Sequence, residues 1–226
     1  MEAGTSKVEP SIGDLSPIMP AGVEKEPMLL LDTTGSMSWP NTAEGGPERR
    51  QVIQEAMLTI VTRLAAEDSQ AEAEKAAGED AGGLMTVTFA DGQAECIDDL
   101  SPENFQAKWA AISWGGGTYI MPGWTELMKT YMEEFGDVPA LDRPQILALV
   151  ITDGEANDTD AFASELSKLK GVGHACIAVM GYGDEHDRAL LVYQGVAESN
   201  PNVRVVSFGN ETDPNVIADA VDSLLG

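Results

Sequence analysis

Three short stretches of this sequence carry oxygen side chains at spacings that suit chemistry. In Asp32-Thr33-Thr34-Gly35-Ser36 a carboxylate and two hydroxyls fall at alternate positions, and Gly35 lets the backbone turn tightly between them. In Gly115-Gly116-Gly117-Thr118 a hydroxyl follows three glycines, a run too flexible for the interior of an element and suited to a loop that passes close to something else. Thr152-Asp153-Gly154 adds a second carboxylate. Asp32, Thr34, Ser36, Thr118 and Asp153 are all oxygen donors, with no sulfur or imidazole among them. That is a set of the Mg²⁺ type rather than a zinc site. For the first stretch taken alone a second reading stands beside this one, because Asp, Thr and Ser at the end of a strand also cap helices.

The elements that position these stretches are read from apolar patterning. Met28 to Leu31 and Gln145 to Ile151 are runs without polar alternation, the mark of strands buried on both faces, and each stops at an acidic, Gly-containing loop. Further strands are predicted over Leu84 to Phe89, Ala94 to Ile97, Ala175 to Met180 and Val203 to Phe208. Asp91-Gly92 is a hairpin dipeptide that makes the second of these antiparallel. Helices are predicted after Pro47, where Val52, Ile53, Ala56, Met57, Ile60 and Leu64 mark one face, and from Ser101 to about Ala111, with Phe105 and Trp109 four apart. Others follow over Pro122 to Phe135, Asp158 to Lys170, Arg188 to Glu198 and Pro214 to Leu225. Strands that alternate with helices imply an α/β domain with a doubly wound, mostly parallel sheet covered on both faces. Ligands in such sheets bind at the carboxyl ends of the strands, where strand order reverses, and the three oxygen-bearing loops belong to that edge.

Residues 1–26, with Pro10, Pro17 and Pro20, show no periodicity and read as a flexible N-terminal tail; residues 27–226 form the domain. Within it, 66–83 is an acidic, Ala-rich insert that extends the preceding helix or loops out from it. The chain has 226 residues and a formal charge of −25, from 38 acidic against 13 basic side chains, a field that repels nucleic acid and favours cations and basic partners. No run approaches the roughly 18 apolar residues of a membrane span, and the start lacks the basic and apolar regions of a signal peptide, so a cytoplasmic protein is expected. Cys96 and Cys176 lie in predicted strands and read as small apolar side chains. His174 and His186 read as structural or solvated. Glu155, Asn157 and Asp158 read as loop and cap for the next helix. Gly181-Tyr182-Gly183 lacks the rest of a nucleotide fingerprint. Trp124 reads as core, whereas Trp39 and Trp114, close in sequence to the oxygen loops, are candidates for a partner-binding rim.

With these residues in place the sequence resembles the von Willebrand factor A (vWA) domain, whose metal-ion-dependent adhesion site uses Asp-x-Ser-x-Ser, a distant Thr and an Asp on a later strand. Asp32, Thr34 and Ser36 fall on the first motif, with Thr34 in place of its first Ser; Thr118 falls on the second and Asp153 on the third. The resemblance covers about residues 27 to 226. It implies a Rossmann-like, six-stranded sheet with one antiparallel edge strand, a bound Mg²⁺ (or Mn²⁺ or Ca²⁺), and binding of another protein that presents Asp or Glu to the metal. Without a signal peptide the chain is more similar to the intracellular bacterial branch, which includes the tellurium-resistance type and subunits that accompany AAA+ ATPases. An enzyme is not expected, because the set holds no His, Cys or Lys to act as base or nucleophile. The alternative is a metal-dependent hydrolase, phosphoesterase-like, that activates water at the same site.

Overall fold

The computed structural model describes residues 23–74, 83–154, 156–169 and 173–225. Six strands form one sheet: β1 (Lys25–Asp32), β2 (Leu84–Ala90), β3 (Gln93–Leu100), β4 (Gln145–Thr152), β5 (Gly173–Met180) and β6 (Val203–Gly209), in the order β3-β2-β1-β4-β5-β6. All neighbours are parallel except β2 and β3. Asp91 (φ 52°) and Gly92 (φ 74°) form the tight turn between those two, both left-handed as a two-residue hairpin turn requires. The chain winds from β1 outward to β3 and then returns to place β4 on the other side of β1. The reversal of strand order therefore lies between β1 and β4.

Among the described residues six α-helices cover the sheet: α1 (Arg49–Glu74), α2 (Phe105–Ala111), α3 (Met121–Phe135), α4 (Thr159–Leu166), α5 (Asp184–Ser199) and α6 (Pro214–Leu225). The continuous apolar run of β1 divides between two cores by strict alternation. Leu29 and Leu31 pack with Ile53, Met57 and Ile60 of α1, Phe105 and Trp109 of α2, and Ile217 and Val221 of α6. Met28 and Leu30 pack with Trp124, Leu127 and Tyr131 of α3, Phe162 of α4 and Tyr193 of α5. A strand that serves both cores must be apolar at every position, which is why β1, β4 and β5 are legible as unbroken hydrophobic runs.

Several boundaries differ from the sequence reading. β1 begins at Lys25, inside the stretch read as tail, because Lys25 and Glu26 pair with Gln145 and Ile146; residues 1–22 lie outside the described part. The helix of α1 continues into the acidic insert as far as Glu74, and 75–82 are likewise outside. Ser101 does not start α2. Its carbonyl accepts from Asn104 N (3.2 Å) and Phe105 N (2.9 Å) in a preceding turn, and the helix begins at Phe105. Helix α4 stops at Leu166 instead of reaching Lys170. Cys96 is half-buried on β3 and Cys176 buried on β5; both are free thiols, and burial pushes the Cys176 thiol up to about 12.

Candidate metal centre

β1 and β4 pair in parallel up to Leu31 and Ile151, so their next residues emerge side by side at the carboxyl edge of the sheet. Asp32 ends β1 and is fully buried. Its Oδ1 accepts from Thr34 N (2.9 Å) and Thr34 Oγ1 (2.6 Å), and its Oδ2 accepts from Thr152 Oγ1 (2.8 Å). Burial, with the nearby charge of Asp153 adding to it, raises the Asp32 carboxyl to about 7, against the pull of the Thr34 and Thr152 hydrogen bonds.

The other predicted donors join this carboxylate in one connected cluster. Thr34 Oγ1 lies 3.2 Å from Ser36 Oγ, Thr118 Oγ1 donates to Thr34 Oγ1 at 3.3 Å, and Ser36 Oγ donates to Asp153 Oδ1 at 3.0 Å. A hydroxyl has a single proton. Thr34 gives its proton to Asp32 and Ser36 gives its proton to Asp153, so their mutual contact leaves lone pairs facing each other. Two carboxylates and a set of hydroxyl lone pairs directed at one another have the donor chemistry of a hard divalent cation. Among the described residues no group of three or more His, Cys, Asp or Glu gathers to suit a metal; here most of the donors are Thr and Ser.

Backbone contacts hold the three loops together. Gly115 N donates to Thr33 O (2.9 Å), Gly35 N to Gly116 O (3.3 Å) and Asp91 N to Gly117 O (2.7 Å). Gly116 has φ 83°, and a Cβ there would lie 2.6 Å from the Asp91 Cβ, so the glycine run passes against the hairpin turn where no side chain fits. Asn157 lies in the loop before α4, as expected, whereas Asp158 departs from its expected role as the cap. Asp158 makes no side-chain cap for α4; its carboxylate accepts from Ile120 N (2.9 Å) and Met121 N (3.0 Å) at the start of α3. Asn157 donates to Thr118 O through both its backbone N (2.9 Å) and Nδ2 (3.0 Å). The loop after β4 therefore pins the Thr118 segment. Glu155 lies outside the described residues.

The sequence reading missed Arg49. Its guanidinium is buried and pairs with Asp153 (Nη1 to Oδ2, 2.5 Å), and the same nitrogen reaches Ser36 O at 3.4 Å. The signal available was its position: a cation in the first turn of a helix opposes the macrodipole, so its presence there calls for a carboxylate. The candidate rim is also redistributed. Trp39 is 59% exposed beside the cluster, with its backbone N–H on Ser36 O. Tyr119 and Tyr182, which follow Thr118 and β5, are exposed as well. Trp114 is partly buried against Trp109 (centroids 5.8 Å), with Arg50 over its ring. Trp124 is core, stacked edge-on with Phe162. His186 is buried, with Nδ1 on Met180 O (2.8 Å) and Nε2 near Ser207 (3.3 Å), and burial holds its pKa below the usual value.

No protein-family model and no curated protein matches this sequence. Solved structures do. The SpRpn10 VWA domain superposes with TM-score 0.60 at 14% identity, over 90% of this chain and 98% of that one. The chain has the von Willebrand factor A fold. A manganese-loaded TRAP protein of Plasmodium vivax superposes with TM-score 0.54 at 16% identity, over 90% of this chain and 74% of that one. A variant of the PilB minor pilin of Streptococcus sanguinis gives 0.58 at 10% identity, over 91% of this chain, which spans 63% of that pilin's length. Among the described residues no helix is long and apolar enough to cross a membrane.

Proposed function

We propose that the vWA fold here binds a divalent cation, Mg²⁺ or Mn²⁺, at its carboxyl edge and through it a carboxylate of another protein. The observation that carries this reading is the convergence of Asp32, Thr34, Ser36, Thr118 and Asp153, drawn from three loops far apart in sequence, into one set of contacts of 2.6–3.3 Å. Asp32, Asp153 and the three hydroxyls would hold the ion. A bound cation supplies a Lewis-acidic position for an incoming carboxylate. The exposed rings of Trp39, Tyr119 and Tyr182 border that position with apolar surface of the kind enriched at interface centres. The manganese-loaded state of the TRAP neighbour, a protein of the same fold, is in keeping with this choice of ion.

Binding is favoured over hydrolysis by what touches the cluster. Among the described residues its hydrogen-bond partners are carboxylates, hydroxyls, backbone groups and one guanidinium, and His186 is turned to Met180 and Ser207. The resemblance to the intracellular bacterial branch makes an AAA+ ATPase or a stress-response protein in the cytoplasm the first partner to test. Capture from the source cell with Mg²⁺ or with EDTA, on wild type and on Asp32→Ala, tests the reading. A partner retained only by wild type with Mg²⁺ supports it, and chelator-insensitive capture contradicts it. For the ion itself, a ligand that binds only the folded state at a hundredfold excess over its dissociation constant stabilises by about 2.7 kcal/mol, so Mg²⁺ should raise the melting temperature.

A further inference from the structure

Among the described residues Arg49 is the one cation paired with the cluster, and it is built in. Its side chain is 5% exposed and that of Asp153 is 4% exposed, so water does not screen the pair. The guanidinium is confined on several sides. It lies 5.6 Å from the centroid of the Tyr182 ring, and Gly181, in the left-handed region (φ 91°), comes so close that a Cβ there would lie 2.8 Å from Arg49 Cζ. Nε is buried with no hydrogen-bond partner among the described residues, so the group is not held there by a full set of neutral contacts. Its charge is what Asp153 uses. Arg49 Nη1 takes Asp153 Oδ2, while Oδ1 accepts from the Ser36 hydroxyl.

We propose that Arg49 is a resident cation of this site: it competes with the divalent ion for Asp153, keeps metal binding weak and exchangeable, and leaves the loaded centre positively charged. This rests on the metal reading above. With both carboxylates ionised, as ligation of a divalent ion requires, they and the guanidinium together carry a single negative charge, which the ion converts to a single positive one. An uncompensated positive charge at a largely buried centre calls for an anion, and a carboxylate from a partner supplies it. Without Arg49 the same ion would be neutralised by Asp32 and Asp153, and the incoming carboxylate would meet no net charge. Arg49 thus trades affinity for metal against affinity for the carboxylate ligand.

The test is Mn²⁺ binding, followed by the electron paramagnetic resonance of the free ion, on the full chain as wild type, Arg49→Gln and Arg49→Lys. Removing a like charge next to a divalent ion in a poorly screened setting should tighten Mn²⁺ binding by about tenfold or more in Arg49→Gln, whereas Arg49→Lys, which keeps the charge, should stay within about threefold of wild type. If wild type binds Mn²⁺ and Arg49→Gln binds it no more tightly, the competition is overturned and the metal site stands. If none of the three binds Mn²⁺, the site reading itself fails and this proposal with it. Should Arg49→Gln be unfolded in EDTA, Mn²⁺ is titrated while circular dichroism is followed. Recovery of the native spectrum supports the proposal, since the ion then replaces Arg49 as the counter-charge of Asp153, and a chain that stays unfolded at Mn²⁺ levels saturating wild type overturns it.

Discussion

Two arginines on α1 make ion pairs of similar length in opposite surroundings. Arg49, at the start of the helix, meets Asp153 at 2.5 Å with both side chains no more than 5% exposed. Arg63, farther along, meets Asp219 at 2.7 Å and Asp222 at 3.2 Å on α6, but its side chain is 36% exposed and that of Asp219 66%. Among the described residues Arg63 has two carboxylate partners and Arg49 one. The energetic order is nevertheless the reverse, because water and salt screen the exposed pairs, while removal of one member of the buried pair strands the other charge in a poor dielectric. Burial, not the number of partners, decides which arginine matters.

The largest effect should come from Arg49→Gln. In EDTA it should lower unfolding stability by about 3–5 kcal/mol, because Asp153 is left buried without its counter-charge; urea denaturation measures this. A loss below about 1 kcal/mol would break the contrast between the two arginines. Next, Gly181→Ala presses on the same guanidinium from outside and forces a side chain into a left-handed conformation, so a loss of about 1–3 kcal/mol is expected. Gly195→Ala on α5, where a Cβ meets open space, is its control and should be stabilising by about 0.5–1 kcal/mol. Thr118→Ala removes an uncharged member of the cluster whose side chain has one 3.3 Å contact. Stability in EDTA should fall by less than about 1 kcal/mol, and the rise in melting temperature with Mg²⁺ should shrink; an unchanged rise would remove Thr118 from the ligand set. The smallest effect is expected for Arg63→Ala, within about 1 kcal/mol at low salt and nearly nil at 1 M NaCl. A larger loss that persists in salt would erase the distinction on which the comparison rests.

Much of the molecule was legible because its strands serve two cores. β4 and β5 read as unbroken apolar runs and emerged within one or two residues of the expected boundaries, and the Asp91-Gly92 turn was recognisable from residue types that tolerate positive φ. The starts of shorter elements were less legible. Ser101 looks like a helix cap in sequence, but three residues of turn intervene before Phe105, and the Asn104 side chain, which donates to Asp99 O and accepts from Ser101 N, competes with helix at that point. Asp158 looks equally like the cap of α4. It bonds instead to amides of α3, because the neighbouring amides of another element were nearer to its carboxylate than those of its own helix, and no pattern within residues 150–166 records where α3 will be.

The oxygen-donor character of the three loops was set by the sequence alone, since Asp32, Thr34, Ser36, Thr118 and Asp153 are what they are in any conformation. So was the alternation of buried strands and amphipathic helices that puts those loops at carboxyl ends of a parallel sheet. Which charges face one another was decided only by tertiary structure. Residues 49 and 153 are 104 positions apart, and their pairing follows from the crossing that sets β4 beside β1 and the start of α1 over the same edge. The complete burial of Asp32, and the rise of its carboxyl to about 7, likewise come from strands and loops packed around it. The strength of an electrostatic interaction depends on distance and on the dielectric between the groups, and neither exists until the chain has folded.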